Sequence, residues 1–297
     1  MVNTIKNIPT LENLQNEITF LKSELDNLRQ KKTMRTWKID FLQRTQLSLR
    51  KNLLEEKYTH LLSLNSLVNK HKGKRCFIVG NGPSLKQTNM GLLKNEITLG
   101  SNRVYLGFKE WGFPFTYWGI QDETQIHQSA QEYINHIPSE TIKFIPYHFM
   151  EFFNLSKTDN CCPINIEFHP EPYPQFSNKP NCIFTGWTIT YALLQLAVIM
   201  GCNPIYLVGM DYNYNITNKE KRANGRWSDN ASKNHFHPDY CNDKKGVVWN
   251  MPRFDYTNPA FEYANAWAQN NKIQIINATP GSQLNFFPKT NFNNLLT

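Results

Sequence analysis

The sequence predicts an α/β protein of Rossmann-like type. It is a mainly parallel sheet with helices on both faces and lid insertions, preceded by a long N-terminal helix of coiled-coil character. Three observations predict it. From Arg75 onward, short and nearly continuous apolar runs alternate with helical stretches. The first of these runs leads directly into a glycine-rich turn, CFIVGNGPSL, at Cys76–Leu85. Before it, residues 11–57 contain no Gly or Pro and carry a leucine-rich seam. The chain therefore divides into an N-terminal helical segment, 1–72, and an α/β domain, 73–297.

In the N-terminal segment Leu11, Leu14, Ile18, Leu21, Leu25 and Leu28 keep the alternating three-and-four spacing of a heptad seam. The register continues at Ile39, Leu42, Leu49 and Leu53, but Lys32, Arg35, Gln46 and Glu56 interrupt it. Such a helix either joins copies of the chain into a homo-oligomer or packs on its own globular domain. The net charge of +8 belongs here too, since residues 1–75 hold 15 Lys and Arg against 7 Asp and Glu, and the remainder holds 17 of each. With a neutral body, no nucleic-acid partner is expected. The basic run from Arg29 to Lys57 is either a solvated face or a contact for an anionic membrane surface.

No run of about 18 apolar residues marks a membrane span, and the polar start lacks the apolar core of a signal peptide. Six cysteines occur without Cys-x-x-Cys spacing, which speaks against zinc and redox pairs. A reduced, cytoplasmic setting is expected, with contact at the inner membrane as an option.

In the α/β part, strands are predicted at Cys76–Val79, Ile97–Gly100, Thr116–Ile120, Ile142–Pro146, Ile205–Gly209 and Ile273–Ile276. Ile189–Met200 is a strongly apolar helix. Residues 154–181, rich in Pro and Asn, read as a long loop or lid, and 212–259 as a second lid-like insertion.

Ligands of open parallel sheets sit at the carboxyl ends of the strands. Four predicted strands end in small or polar groups: Gly80-Asn81-Gly82-Pro83-Ser84, Gly100-Ser101-Asn102-Arg103, Gly119-Ile120-Gln121-Asp122-Glu123 and Gly209-Met210-Asp211-Tyr212. Gly80 and Gly82 permit close approach to the backbone. Ser84 is placed to cap the next helix, whose free N–H groups would attract a phosphate. A tight turn with Ser84 as an ordinary cap is the plainer alternative.

Two familiar phosphate loops do not fit. The dinucleotide fingerprint needs a third glycine where Leu85 stands, and no acidic residue ends the next strand. The P-loop needs Gly-Lys-Ser/Thr after the strand, whereas Gly73-Lys74-Arg75 precedes it. There is no Asp-x-Asp motif for a metal-chelating glycosyltransferase.

The Ile-Val-Gly-Asn-Gly-Pro-Ser-Leu turn, the Gly-Ser-Asn strand end and the Tyr-Leu-Val-Gly-Met-Asp strand together resemble a superfamily. It joins the family 42 sialyltransferases to the proteins grouped with 6-hydroxymethylpterin diphosphokinase, including flagellin-modifying glycosyltransferases. Asn234-His235-Phe236-His237-Pro238-Asp239-Tyr240 and Ile276-Asn277-Ala278-Thr279-Pro280-Gly281 look like the diphosphokinase-related branch. The resemblance covers about residues 74–288.

It implies a nucleotide-binding enzyme, an inverting transferase that uses a CMP-activated sugar on a glycan or protein acceptor and requires no cofactor. By that likeness Asn81, Gly82 and Ser84 match the nucleotide-holding turn, with Gly80 and Pro83 framing it. Asn102 matches a strand-end asparagine on the nucleotide, and Thr185-Gly186 matches a Ser-Gly pair after the lid. His235 matches the general base, and Tyr212 and Tyr214 stand near phosphate-contacting tyrosines. Cys182 replaces an arginine three positions before the Ser-Gly pair, so the likeness does not extend to the donor's carboxylate; Lys179 is offered in its place.

The residues suit the chemistry independently. Transfer to a hydroxyl removes a proton as the bond forms, and a histidine of ordinary basicity can take it. A departing phosphate can be stabilised by Tyr, Asn and a helix N-terminus. The alternative is a Mg²⁺-ATP diphosphokinase in which Asp122, Glu123 and Asp211 hold Mg²⁺ with the substrate phosphates. His235 and His237 also fit a surface loop, Asp211 a simple cap, and Trp187, Tyr191 and Trp249 ordinary packing.

Overall fold

The structure is a computed structural model that describes residues 61–167, 174–214, 219–221, 227–229, 234–241 and 249–295, with single residues between 16 and 49. The chain forms two compact units, Met1–Leu61 and Leu62–Thr297. In the first, Asn16, Thr19, Phe20, Leu21, Ser23, Thr45 and Leu49 are helical. The heptad seam as a continuous feature and, apart from Thr45 and Leu49, the run Arg29–Lys57 lie outside the described residues.

The strands of the second unit are β1 (Cys76–Val79), β2 (Ile97–Ser101), β3 (Tyr117–Gly119), β4 (Ile142–Pro146), β5 (Cys161–Ile164), β6 (Ile166–Glu167), β7 (Ile183–Phe184), β8 (Ile205–Val208), β9 (Lys219–Lys221), β10 (Trp227–Asp229) and β11 (Ile275–Asn277). The helices are α1 (Phe108–Trp111), α2 (Glu123–His136), α3 (Ile189–Ile199) and α4 (Phe254–Asn270). Seven strands make one sheet in the order β11-β8-β1-β2-β3-β4-β5. Every neighbouring pair in it is parallel. The parallel α/β architecture expected from the alternating apolar runs is thus present.

All residues of β1 and β4 are buried, as strands covered on both faces must be. Every residue of α3 is buried as well, which is why its sequence is apolar all round. The amphipathic α2 buries Ile126, Ala130 and Tyr133, spaced by about one and two helical turns. The α4 helix presents Ala260, Ala264 and Ala268 to the core, one small residue per turn.

Two expectations need correction. Residues 154–181 are not wholly loop, because β5 lies within them with all four residues buried. Pro163 hid it, and a proline is tolerated here because β5 pairs only with β4 at the sheet margin. Residues 212–259 are not wholly a lid either: they contain the antiparallel pair β9–β10, and α4 begins at Phe254.

The chain runs outward from β1 through β2, β3, β4 and β5, while β8 and β11 add on the other side of β1. The strand order therefore reverses between β1 and β8, and a ligand crevice is expected outside the carboxyl ends at that point. The loops there are 80–84 and 209–212. A separate cavity of about 550 Å³, lined by His71, Phe115, Tyr117, Glu140 and Asn160 among others, opens at the opposite, amino-terminal edge of the sheet.

Candidate active site

The loops after β1 and β8 are packed so closely that only glycine fits between them. A Cβ on Gly80 would lie 2.5 Å from the Gly209 carbonyl oxygen, and one on Gly82 would lie 1.8 Å from Asp211 Oδ2. Gly82 has φ −73°, which any residue can adopt, so approach and not backbone conformation requires it.

Three turn amides, those of Gly80, Gly82 and Ser84, are used internally. Gly80 N–H donates to Val208 O at 2.7 Å and Gly82 N–H to Gly209 O at 2.9 Å. Ser84 N–H donates to Asp211 Oδ1 at 3.0 Å, and Ser84 Oγ–H to Asp211 Oδ2 at 2.7 Å. The chain then enters a 3₁₀ turn, Pro83–Gln87, whose cap is Gly82; Ser84 lies inside it. The expected helix capped by Ser84 is therefore absent, and the Asp211 carboxylate takes the donors that a phosphate would use.

Side chains offer a different kind of site. Asn81 Nδ2 donates to Ser101 O at 3.2 Å, which fixes the amide and leaves its buried Oδ1 without a partner. Gln121 Nε2 donates to Thr185 O at 3.1 Å and Thr185 Oγ1 at 3.2 Å, leaving Gln121 Oε1 buried and unmet. Asn102, in the left-handed region at φ 50°, holds Trp118 Nε1–H on its carbonyl at 2.9 Å, while its side-chain Oδ1 is buried and unmet. These three oxygens follow β1, β3 and β2, whose neighbouring strands lie about 4.8 Å apart. Their residues stand at the carboxyl ends of three adjacent strands. The buried Trp249 Nε1 is an unmet donor.

His235 sits on the segment that meets the first of these strand ends. Phe236 N–H donates to Asn81 O at 3.0 Å. The imidazole stacks on Tyr240 with centroids 3.8 Å apart and planes at 9°, and lies 5.7 Å from the Trp249 ring. Its Nδ1 is 3.3 Å from Cys241 Sγ. Burial lowers its pKa to about 3, so the ring is neutral at pH 7 and is a weaker base than an ordinary histidine. His237 Nδ1 accepts from Asp239 N–H at 3.1 Å, a local loop bond.

Arg103 anchors that segment. It is 2% exposed, donates from Nη1 to Tyr240 O at 2.9 Å, pairs through Nη2 with Glu132 at 3.1 Å and lies 5.5 Å from the Trp249 ring centroid. Tyr105 O–H also donates to Glu132.

The remaining expected residues serve other partners. Asp122 caps α2 through Gln125 N–H at 3.1 Å and accepts from Asn250 Nδ2 at 3.0 Å. Asp122 and Asp211 are thus engaged separately, and no group of three His, Cys, Asp or Glu among the described residues is arranged to hold a metal ion. Tyr212, at φ 55°, donates its hydroxyl to Asn258 Oδ1 at 2.5 Å and lies 3.0 Å from Thr257 Oγ1, facing α4. Tyr214 packs on Tyr212 and Phe254. Thr185 is buried and meets Gln121; Gly186 at φ 48° and Trp187 at φ 57° make the turn into α3. Trp187 stacks on Tyr256, and the Arg253 guanidinium lies 4.0 Å from the Tyr256 centroid. Cys182 is partly buried and Lys179 exposed.

Gln121, Arg103, Trp249 and Cys241 are additions to the sequence-based set. Gln121 and Arg103 stood within the polar strand ends, which was their only signal. Trp249 stood among the aromatics read as ordinary packing, and Cys241 had no signal beyond being one of the six cysteines.

No family model matches the chain, and no curated protein matches it. Among solved structures it is similar to the MAf glycosyltransferase from Magnetospirillum magneticum AMB-1, with 12% identity, a TM-score of 0.45, and coverage of 84% of this chain and 42% of that one. It is also similar to a mammalian sialyltransferase in complex with Gal-beta-1-3GalNAc-ortho-nitrophenol, with 13% identity, a TM-score of 0.29, and coverage of 93% and 91%. The chain spans less than half the length of the first, and at these scores neither likeness bears on its chemistry.

Proposed function

We propose that this chain is a glycosyltransferase that moves a nucleotide-activated sugar, CMP-linked and sialic-acid-like, onto a surface glycan or a protein. The observation that carries the reading is the set of unmet buried oxygens of Asn81, Asn102 and Gln121. A buried acceptor left without a donor costs about 1–3 kcal/mol, so three on adjacent strand ends are costly unless a ligand meets them. A nucleoside or sugar presents amino and hydroxyl hydrogens to such acceptors. A bare polyphosphate presents only acceptors.

In this reading His235 is the general base. Its Nε2 takes the acceptor hydroxyl proton as that oxygen bonds to the anomeric carbon. The bond from that carbon to the donor's phosphate oxygen breaks, and the electron pair leaves on the phosphate, inverting the centre. A phosphate charge close to the ring would raise its basicity from the depressed value. Exposed Lys179 is the cation offered to a donor carboxylate, since Arg253 is already paired with Asp255 at 2.8 Å. No metal and no cofactor beyond the donor is required. The N-terminal segment would join copies of the chain or rest on the inner membrane from the cytoplasmic side. No observation favours the diphosphokinase alternative, because Asp122 and Asp211 are each bonded within the protein.

Thermal shift with CMP, CDP, AMP and ATP, each with and without Mg²⁺, tests this. Metal-independent stabilisation by the cytidine nucleotides is expected. Stabilisation by ATP alone, and only with Mg²⁺, would overturn it.

A further inference from the structure

We propose that Cys241 is the positioning residue of His235: its sulfur accepts the hydrogen carried by Nδ1 and so keeps Nε2 free as an acceptor. The inference rests on the reading of His235 as the base, and it adds the group that would make that role possible.

The Nδ1 to Sγ separation of 3.3 Å has room for one hydrogen. If the hydrogen is on nitrogen, sulfur accepts and Nε2 has its lone pair. If it is on sulfur, Nδ1 accepts and Nε2 carries the other ring hydrogen, which makes His235 a donor. Among the described residues the ring has no other hydrogen-bond partner. It lies flat on Tyr240 at 3.8 Å, Trp249 stands 5.7 Å away, and the Tyr240 carbonyl is itself held by Arg103 at 2.9 Å. Among the described residues, Cys241 Sγ is the group within bonding distance of Nδ1.

The absence of a partner at Nε2 among the described residues places the hydrogen on Nδ1, and the neutrality of the ring separately excludes an ion pair. No described residue bonds to Nε2, and N–H groups without an acceptor are rarer in proteins than under-used acceptors. The ring is also neutral at pH 7 because burial depresses its basicity, so the pair is not an imidazolium facing a thiolate. A neutral ring donating from Nδ1 is the arrangement that leaves a base at Nε2, and it is how partner groups commonly set a histidine's tautomer.

The test is long-range ¹H–¹⁵N correlation on the full chain labelled with ¹⁵N-histidine at pH 7. Among the eight histidines, His235 is identified by the signal lost in His235→Ala. Protonated Nδ1 and unprotonated Nε2 are expected, in roughly fivefold excess or more over the other tautomer, as one net hydrogen bond allows. Cys241→Ala should shift the balance toward Nε2–H, and Cys241→Ser, whose hydroxyl can also accept, should restore it. Under the base reading, Cys241→Ala also lowers kcat with little change in KM, and Cys241→Ser recovers it. Protonated Nε2 or an even mixture in the parent protein overturns the inference, as does an unchanged ratio in Cys241→Ala. If His235→Ala transfers sugar at the parent rate, the base reading fails, while the tautomer measurement still decides what Cys241 does.

Discussion

Asp211 and Ser84, 127 positions apart in the chain, are joined by two hydrogen bonds of 3.0 and 2.7 Å, one to the Ser84 amide and one to its hydroxyl. The pair ties the loop after β8 to the loop after β1 at the point where strand order reverses. It also explains Gly82, over which the carboxylate lies.

Gly82→Ala is therefore expected to destabilise the protein through collision with Asp211 Oδ2. Asp211→Ala, which strands both Ser84 donors, is expected to cost about 1–3 kcal/mol. The double variant should be less unstable than the sum of the two, by about 0.5–3 kcal/mol, since one change removes the atom the other strikes. Relief will be partial, because a Gly82 Cβ also meets Gly209 O at 2.7 Å. Urea denaturation of the four proteins measures the coupling, and strict additivity would refute the contact.

Arg103→Met should be among the most damaging single changes, at about 3–5 kcal/mol, because it leaves Glu132 without its buried cation. Beyond the global loss, hydrogen exchange at 236–241 should speed up more than exchange in β4. Equal acceleration in both would mean that Arg103 does not specifically hold the His235 segment.

Asn102→Gly removes one unmet oxygen without straining a position at φ 50°. The folded protein should keep its stability to within about 1 kcal/mol, since glycine's main cost here is entropic. Its thermal shift with CMP should nevertheless be largely lost. For comparison, a saturating ligand at 100 times its Kd adds about 2.7 kcal/mol to the parent. An undiminished shift would separate Asn102 from the nucleotide.

His235 gives stability a pH dependence of definite sign. Its pKa is about 3 when folded and 6.5 when unfolded, so between these values only the unfolded chain binds the proton. Stability is therefore full above the unfolded value and falls as pH drops through the window, by at most about 1.4 kcal/mol per pH unit from this group. His71, lowered chiefly by burial and then by Lys70 and Lys74, adds a slope of the same sign. His235→Phe should flatten the decline between pH 6 and 4 without abolishing it. A slope unchanged from the parent would mean that the ring is solvated.

The sheet was legible because its strands are runs of apolar residues whose period does not matter when both faces are buried. The missed β5 shows the limit: Cys161-Cys162-Pro163-Ile164 is a strand only because it lies at the margin, which local sequence does not record. Asn81 and Asn102 were legible as polar strand ends. The roles of Arg103 and Cys241 were not, since each depends on a partner more than a hundred positions away or on the fold of one loop. Asp211 was noticed as a polar strand end, but its pairing with Ser84 comes from the crossing of two distant loops.

That marginal strand limits how the protein can associate. Pro163 has no N–H to give, and the Cys161 carbonyl is already taken by Leu62 N–H at 2.8 Å. An incoming chain would find a missing donor and an occupied acceptor where it needed a ladder. In a crowded cell this flank resists growth by added strands, so association between copies must use some other surface.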